Sequence, residues 1–377
     1  MGFKQIYRKY ILNQQNKAQK IRLCKQYVAE FYGVLFGSDK EIVKSVTLTK
    51  AEKAEVQDYW KQIYGKKIPL YWHRKYYALT GKLDKSYVPD YIYTTQIEPK
   101  NNPDRISRIL NDKSLIQSLF ARKLNELENV TIPKMYGGCA NGFYYDEKYR
   151  PITYKTLVLR LSDAGEVILK PCIGESSGHG VQLLQLQNGI DLKSNRKIEQ
   201  ILEVYGKDFI IQERVRLAKE YADLHPDSCN TLRIMTYRLD NEIKVSPITL
   251  RIGRGGSHLD NGHAHGIFIG VSNDGYLQKY ACDCQNNKYE MHPDTNVIFE
   301  NYFVPYIPNV INSVKEFHTC IPNLGIINWD ICINDRGQVV IIEDNLSCAS
   351  PWLFQSAWGK GMFGEDLKYV VSQIVKK

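Results

Sequence analysis

Two carboxylates and an amide, Asp330, Glu343 and Asn345, stand in the stretch I-I-N-W-D-I-C-I-N-D-R-G-Q-V-V-I-I-E-D-N that runs from Ile326 to Asn345. Runs rich in Ile and Val flank Asn334-Asp335-Arg336-Gly337, a turn composition, so the stretch reads as a β-hairpin. With a turn of two or four residues, Asp330 lies opposite Ile341 and Asn328 opposite Glu343. Paired residues share a face and side chains alternate with period two, so Asp330, Glu343 and Asn345 project from one side. The other side carries Trp329, Ile331, Ile333, Val340 and Ile342 and is expected to be buried. Acidic groups on an otherwise apolar sheet need a cation beside them. An oxygen-only set suits magnesium, and two carboxylates equally suit salt bridges to Lys or Arg.

Lys170 is a second group with chemistry to offer. It closes a β-branched run and is followed by Pro171 and the loop Gly174-Glu175-Ser176-Ser177-Gly178-His179-Gly180. Such a loop brings backbone N–H groups close to phosphate oxygens, and a lysine at its mouth adds a cation. The loop lacks the spacing of a P-loop, and its composition also suits a plain hairpin turn. A phosphate cradle with a distant two-carboxylate metal site is what nucleotide phosphoryl transfer requires, because magnesium bridges phosphate oxygens while fixed cations hold them. The loop R-I-G-R-G-G-S-H-L-D-N-G-H-A-H-G carries His263 and His265, which with Cys282 and Cys284 form a zinc-like donor set or are simply loop residues. Its Arg251, Arg254 and Asp260 favour a lid over substrate as a third reading. No context supports a nucleophilic Ser or Cys triad.

The elements that position these groups read as mixed α+β with antiparallel pairs and no internal repeat. Helical spacing runs through Ile6, Tyr10, Ile11, Ile21, Val28 and Phe31. Thr49 with Glu52 forms a capping-box pattern ahead of Ala54, Val56, Trp60 and Ile63. Residues 66–104, rich in Tyr and Pro, read as the end of an N-terminal module and a linker. Asn111-Asp112 caps a helix through Leu127. Strands are expected at 155–161 and 166–171 around Ser162–Gly165, then at Val181–Leu186, Asp208–Val215, Asn230–Leu239 and Glu242–Ile252. Ser194 caps a helix through Tyr205, Gly255–His265 is a polar loop, and helices near 308–319 and 365–375 bracket the hairpin.

At 377 residues the chain has room for two or three cores. No apolar run reaches transmembrane length, and the basic start lacks the apolar core of a secretory signal. Nine cysteines without a tight framework of spacings suit reduced thiols and a cytoplasmic location. The net charge of +9 is uneven: residues 1–100 hold 19 Lys and Arg against 9 Asp and Glu, leaving 31 against 32 for the rest. That basic module suits an acidic substrate, an anionic lipid surface or a nucleic acid, or is a solvated helix face. Aromatic-basic motifs of RNA readers are missing, which argues against nucleic acid.

In order, Asp112-Lys113 opening a helix, V-I-L-K-P with the glycine-rich loop, I-I-Q-E-R-V, N-W-D and I-I-E-D-N resemble the ATP-grasp enzymes over about residues 105–350. His225-Pro226-Asp227-Ser228-Cys229-Asn230-Thr231-Leu232-Arg233, with Asp260-Asn261 and Gly266-Ile267, is similar to the sugar-transfer-associated ATP-grasp family. The resemblance implies two α+β lobes clasping ATP, residues 105–207 and 208–377, behind an α-rich module over 1–104. It implies ATP and Mg2+ as cofactors. Lys113 and Lys170 would meet the phosphates and base, and Ser176, Ser177, Gly178, His179, Gly180 and Val181 would close over the phosphates. Gln212, Glu213 and Val215 would read adenine, and Glu220 the ribose. Asp330, Glu343 and Asn345 would hold magnesium. Arg233 and Arg251 would be catalytic near the γ-phosphate, and His225, Ser228, Asn230, Arg254, Asp260 and Asn261 would face substrate. His179 stands where a Lys or Arg is common, and Asn328 replaces an arginine that amino-acid ligases often place two before the metal Asp. The implied reaction joins a carboxylate, such as a uronic acid or glycan precursor, to an amine, with a lipid-linked or membrane-surface substrate also suited to the basic module. A kinase on the same fold and a non-catalytic ATP-binding protein are the alternatives.

Overall fold

The computed structural model describes residues 39–173, 178–347 and 349–375, with Lys17, Ile21, Cys24, Lys25, Val28, Tyr32 and Gly37 before them. Of the helix expected over 1–35, most lies outside the described residues; Ile21 and Val28, read as its apolar face, are exposed. Packing divides the described residues into one unit formed by those up to Pro103 with those beyond Ser347, and a second within Asp104–Ser347. The C-terminal helices, which the sequence reading carries on from the large lobe, therefore belong to the first unit. Among the described residues no helix is long and apolar enough to cross a membrane.

In the first unit the Thr49 side chain accepts from Glu52 N and Glu52 returns the bond, so the capping box starts the helix Lys50–Tyr64 as its sequence requires. Residues 66–104, expected as the end of the α-rich module and a linker, carry the module further than a linker allows: Tyr71–Thr80, Asp90–Ile92 and Glu98–Asn101 are helical and bury Trp72, Tyr76, Tyr91 and Ile92. Bulky tyrosines here supply core, which a reading by aliphatic periodicity overlooks.

The second unit holds all the strands: β1 (Val130–Thr131), β2 (Met135–Ala140), β3 (Phe143–Tyr145), β4 (Gly165–Pro171), β5 (Gln182–Gln187), β6 (Ile190–Asp191), β7 (Arg196–Lys197), β8 (Phe209–Glu213), β9 (Leu232–Leu239), β10 (Glu242–Val245), β11 (Ile248–Ile252), β12 (Ile267–Val271), β13 (Ala281–Cys282), β14 (Lys288–Tyr289), β15 (Ile326–Ile333) and β16 (Val339–Asn345). A seven-stranded sheet has the order β3-β2-β8-β4-β5-β6-β7. A nine-stranded sheet has the order β1-β16-β15-β9-β11-β12-β13-β14, with β10 also on β9. Among the described residues only β1 with β16 is parallel; the other pairs are antiparallel, as the α+β reading requires.

Three local readings are corrected. The expected strand 155–161 is the helix Tyr154–Leu161, because Thr153 caps it and Leu157, Val158 and Leu161 fall on one helical face in the core of the smaller sheet. Ser194 bonds Asp191 in a turn, and the following helix starts at Ile198. Strand β12, buried at every position, was not anticipated, since an unbroken apolar run shows no alternation.

The larger sheet packs its core face on the helices Ile116–Glu126 and Ile307–Thr319. Phe120 meets Phe317 and the ring of Trp329, at centroid distances of 5.0 and 5.7 Å, directly behind the strand that carries Asp330. Phe120→Ala is expected to cost about 3–5 kcal/mol, because a fully buried ring leaves a cavity at this three-ring junction. A denaturant titration should show the loss as a lower midpoint at unchanged slope.

Candidate functional site

The hairpin β15–β16 does carry the acidic residues on one face, but by a different register. Its loop is three residues, Asp335-Arg336-Gly337, with Asn334 N bonded to Gln338 O at 3.1 Å and Gly337 at φ 74°. Such a loop pairs Ile333 with Val339 and Ile331 with Ile341. Continued unbroken, it would set Asp330 against Ile342 and put Glu343 on the core face with Trp329. A β-bulge between Asp330 and Ile331 takes up one residue, so Asp330 pairs with Glu343 and Asn328 with Asn345. The core face therefore carries Trp329, Ile331, Ile333, Val339 and Ile341, not the expected Val340 and Ile342. Asp344 falls opposite Trp329, away from the site, and burial pushes its carboxyl well above the usual range.

The site face continues into the neighbouring strands. Asp330 pairs with Arg233 on β9, and Arg233 with Thr249 on β11, so Glu343, Asp330, Arg233 and Thr249 form one cross-strand row. Arg233 Nε lies 2.7 Å from Asp330 Oδ1, an ion contact off the hydrogen-bond axis, and its Nη2 donates to Oδ2 at 3.2 Å. Arg251 reaches the same Oδ2 at 3.2 Å and Asp260 Oδ1 at 3.3 Å. Thr231 Oγ1 accepts from Arg251 Nε at 3.0 Å and donates to Asp260 Oδ2 at 2.6 Å, which fixes the guanidinium's direction. Sequence reasoning missed Thr231, whose only sign is its place between Asn230 and the strand. Burial lowers the Arg233 pKa; for Arg251 burial works in the same sense, but Asp260, Asp330 and Glu343 together hold it above its ordinary value.

Two lysines complete the group. Asp112 accepts from Ser114 N and Oγ, so the short turn Lys113–Leu115 starts where its cap residue stands, and Lys113 Nζ lies 3.2 Å from Glu343 Oε1. Lys170 ends β4 of the other sheet, 7% exposed, near enough to feel Glu343 and Lys113. Among the described residues no hydrogen bond or ion pair reaches its ammonium, and burial lowers its pKa. Four cations, Lys113, Lys170, Arg233 and Arg251, thus face three carboxylates, Asp330, Glu343 and Asp260. A largely buried positive excess of one charge, with one ammonium unpartnered among the described residues, fits an incoming polyanion. The acidic side fits a hard divalent cation: Asn345 Nδ2 donates to Asp330 Oδ2 at 3.3 Å and to Asn328 O at 3.4 Å, which holds the amide beside that carboxylate and leaves its oxygen as an acceptor.

Other expected site residues lie as follows. Ser176 and Ser177 are outside the described residues. Gly178 has φ +77°, and a Cβ there would lie 2.4 Å from Asn261 Nδ2. Val181 O is 3.3 Å from His258 Nε2, so the end of the glycine-rich loop rests on the loop 257–261; His179 and Gly180 are exposed. Gln212 is buried on β8, Glu213 accepts from Lys134 N at 3.0 Å, and Val215 lies in the segment that joins the two sheets. Glu220 stands on the turn Lys219–Ala222, and among the described residues no hydrogen bond or ion pair joins it to the charged row. His225, Ser228 and Asn230 are buried and bonded to one another, with Gly253 N on Ser228 Oγ at 3.1 Å, so they brace the loop that follows β11. Arg254 donates to Tyr289 Oη at 2.6 Å, and Asn261 caps the turn Gly262–Ala264. No cluster of three or more His, Cys, Asp and Glu side chains able to hold a metal occurs among the described residues, so His263, His265, Cys282 and Cys284 do not form one.

A family profile described as sugar-transfer associated ATP-grasp matches residues 93–371. A search of curated protein sequences returned no match. Among solved structures, the ATP-grasp ligase PsnB complexed with minimal precursor, Mg and ADP matches 73% of this chain and 62% of its own at 11% identity and TM-score 0.42. The L-amino acid ligase from Bacillus licheniformis matches 71% and 48% at 10% identity and TM-score 0.38. The VanG D-Ala:D-Ser ligase from Enterococcus faecalis matches 73% and 64% at 13% identity and TM-score 0.41. The chain spans less than two thirds of the length of each.

The row makes two expectations concrete. Asp330→Asn should cost about 3–5 kcal/mol in an unfolding titration, since it strips two buried guanidiniums of a shared counter-ion, whereas Glu343→Gln at the partly exposed edge should cost under about 1 kcal/mol. Equal costs would mean that the guanidiniums do not depend on Asp330. Calorimetric affinity for tripolyphosphate should fall with rising alkaline pH earlier than an ordinary lysine would dictate, because Lys170 loses its proton early; Lys170→Arg should remove that limb.

Proposed function

The chain belongs to the sugar-transfer-associated ATP-grasp family, and from that premise we propose that it is an ATP-dependent ligase that joins a carboxylate to an amine and releases ADP. The observation that carries this reading is the buried positive excess of Lys113, Lys170, Arg233 and Arg251 beside Asp330 and Glu343. Lys113 and Lys170 hold the phosphates of ATP, and Asp330, Glu343 and Asn345 hold magnesium, which when bound neutralises phosphate charge. Backbone groups of Gln212, Glu213 and Val215 read the base, Glu220 takes the ribose, and Ser176 to Val181 cover the phosphates.

Arg233 and Arg251 lie where the γ-phosphoryl arrives. A carboxylate oxygen attacks the γ-phosphorus, the bond to the bridging oxygen breaks, and ADP leaves. The amine nitrogen then attacks the acyl carbon, phosphate departs with the C–O electron pair, and the nitrogen sheds a proton. The first step is needed because an unactivated carboxylate has no good leaving group. The two guanidiniums are preorganised for the charge on the transferring group, and Thr231 and Asp260 keep Arg251 aimed at it. The loop with Arg254, Asp260 and Asn261, braced by His225, Ser228 and Asn230, borders the acceptor.

The acceptor is an acidic glycan or glycan precursor, such as a uronic-acid unit or a lipid-diphosphate-linked sugar, as the family's association and the basic N-terminal module suggest. Of the module's Lys17, Lys20, Arg22 and Lys25, the first and last are described and exposed, and the other two lie outside the described residues.

ADP release, screened against carboxylates and amines singly and in pairs, tests the reaction. A ligase needs both substrates; release with one alone means a kinase, and none with any pair means a binding protein. Lys170→Ala should raise the KM for ATP and lower kcat, since its cation serves ground and transition states alike. Unchanged kinetics would remove Lys170 from the phosphate site.

A further inference from the structure

We infer that Asn328 is a fourth oxygen donor of the magnesium site, directly or through one water, standing in for a side chain that the acidic set alone does not provide. The inference rests on the proposed placing of magnesium at Asp330, Glu343 and Asn345.

The register carries it. Asp330 with Glu343 and Asn328 with Asn345 are successive cross-strand pairs on the same face of β15 and β16. Partners across an antiparallel pair have Cβ atoms about 4.5–5.5 Å apart, and same-face neighbours along a strand are two residues, about 6.8 Å, apart. Four side chains bearing oxygen therefore stand at the corners of one small rectangle, and a cation near three corners is within side-chain reach of the fourth.

The second observation is the state of the fourth corner. Asn328 is 1% exposed, and its Oδ1 has no hydrogen-bond partner among the described residues. An amide oxygen buried without a donor costs roughly 1–3 kcal/mol, and a sheet that keeps one there has left an acceptor for something that arrives. Its surroundings supply no donor that the site can spare: the Asn345 amide N–H group is taken by Asp330 and by the Asn328 backbone carbonyl. On the other flank Asn328 pairs with Met235 of β9, an apolar neighbour. Asp330 Oδ1, a buried oxygen one pair along, has only the off-axis ion contact of Arg233 Nε at 2.7 Å among the described residues. The unpartnered amide oxygen on the same face as that carboxylate suits a cation shared with it. Magnesium takes oxygen ligands in octahedral array and keeps waters, so a neutral amide can join without changing the charge.

The test uses Mn2+ as the probe, titrated into the full chain with a non-hydrolysable ATP analogue and read by electron paramagnetic resonance. Asn328→Leu should weaken Mn2+ binding by about tenfold, the loss of one ligand, with analogue affinity in the absence of metal held within about twofold. Asn328→Asp, which keeps the oxygen and adds charge, should tighten it several-fold and decides the matter if the leucine variant does not fold. Wild-type Mn2+ affinity in Asn328→Leu, or unchanged or weaker affinity in Asn328→Asp, overturns the inference. Glu343→Gln run beside them separates the two claims: if it also leaves Mn2+ affinity unchanged, the magnesium placement itself has failed.

Discussion

Asp330 sits between two arginines in the middle of a sheet, and most of the site depends on that contact. A carboxylate 4% exposed is tolerable only with cations at hydrogen-bonding distance, and guanidiniums as little exposed as those of Arg233 and Arg251 are best kept beside it. Neither partner can be moved without stranding the other. The strands that carry them, β15, β9 and β11, are consecutive in the sheet, so backbone pairing sets the spacing before any side chain is placed. Behind them Phe120, Phe317 and Trp329 leave the row no room to retreat.

Charge then links this arrangement to chemistry. Glu343 extends the row to Lys113, and Lys170 approaches from the other sheet without a counter-ion of its own among the described residues. A protein selected only for stability would pair that ammonium or replace it. Its retention in a low-dielectric setting makes sense where a polyphosphate arrives from water, because the same burial that penalises the free cation strengthens its hold on the anion. Thr231 and Asp260 contribute differently: they engage Nε and Nη2 of Arg251 and so fix where its charge points.

Much of this was legible in the chain. Thr49 with Glu52, and Asp112 before its helix, specify helix starts through local hydrogen bonds, and local chemistry survives folding intact. The acidic face of the hairpin was legible too, though for an incomplete reason. Turn composition does not reveal loop length, and the three-residue loop would have put Glu343 with the core; the bulge that restores it has no sequence signature in Asp330-Ile331 or Ile341-Ile342. Tyr154–Leu161 reads as a strand by β-branching but is a helix, because the Thr153 cap and one buried stripe outweigh propensity. The orphaned oxygen of Asn328 and the aim of Arg251 arise from which strands become neighbours, so they belong to the fold rather than to any short motif.

On the proposed function, the positive excess holds the phosphates of ATP and the acidic side holds magnesium. Isothermal titration of ATP into the full chain, with and without Mg2+, for the wild type and Lys170→Met, addresses it most directly. The expected result is one nucleotide per chain, tighter binding with Mg2+, and a loss of about tenfold or more in Lys170→Met at either metal level. Wild-type affinity in Lys170→Met, or ATP binding indifferent to Mg2+, would contradict it.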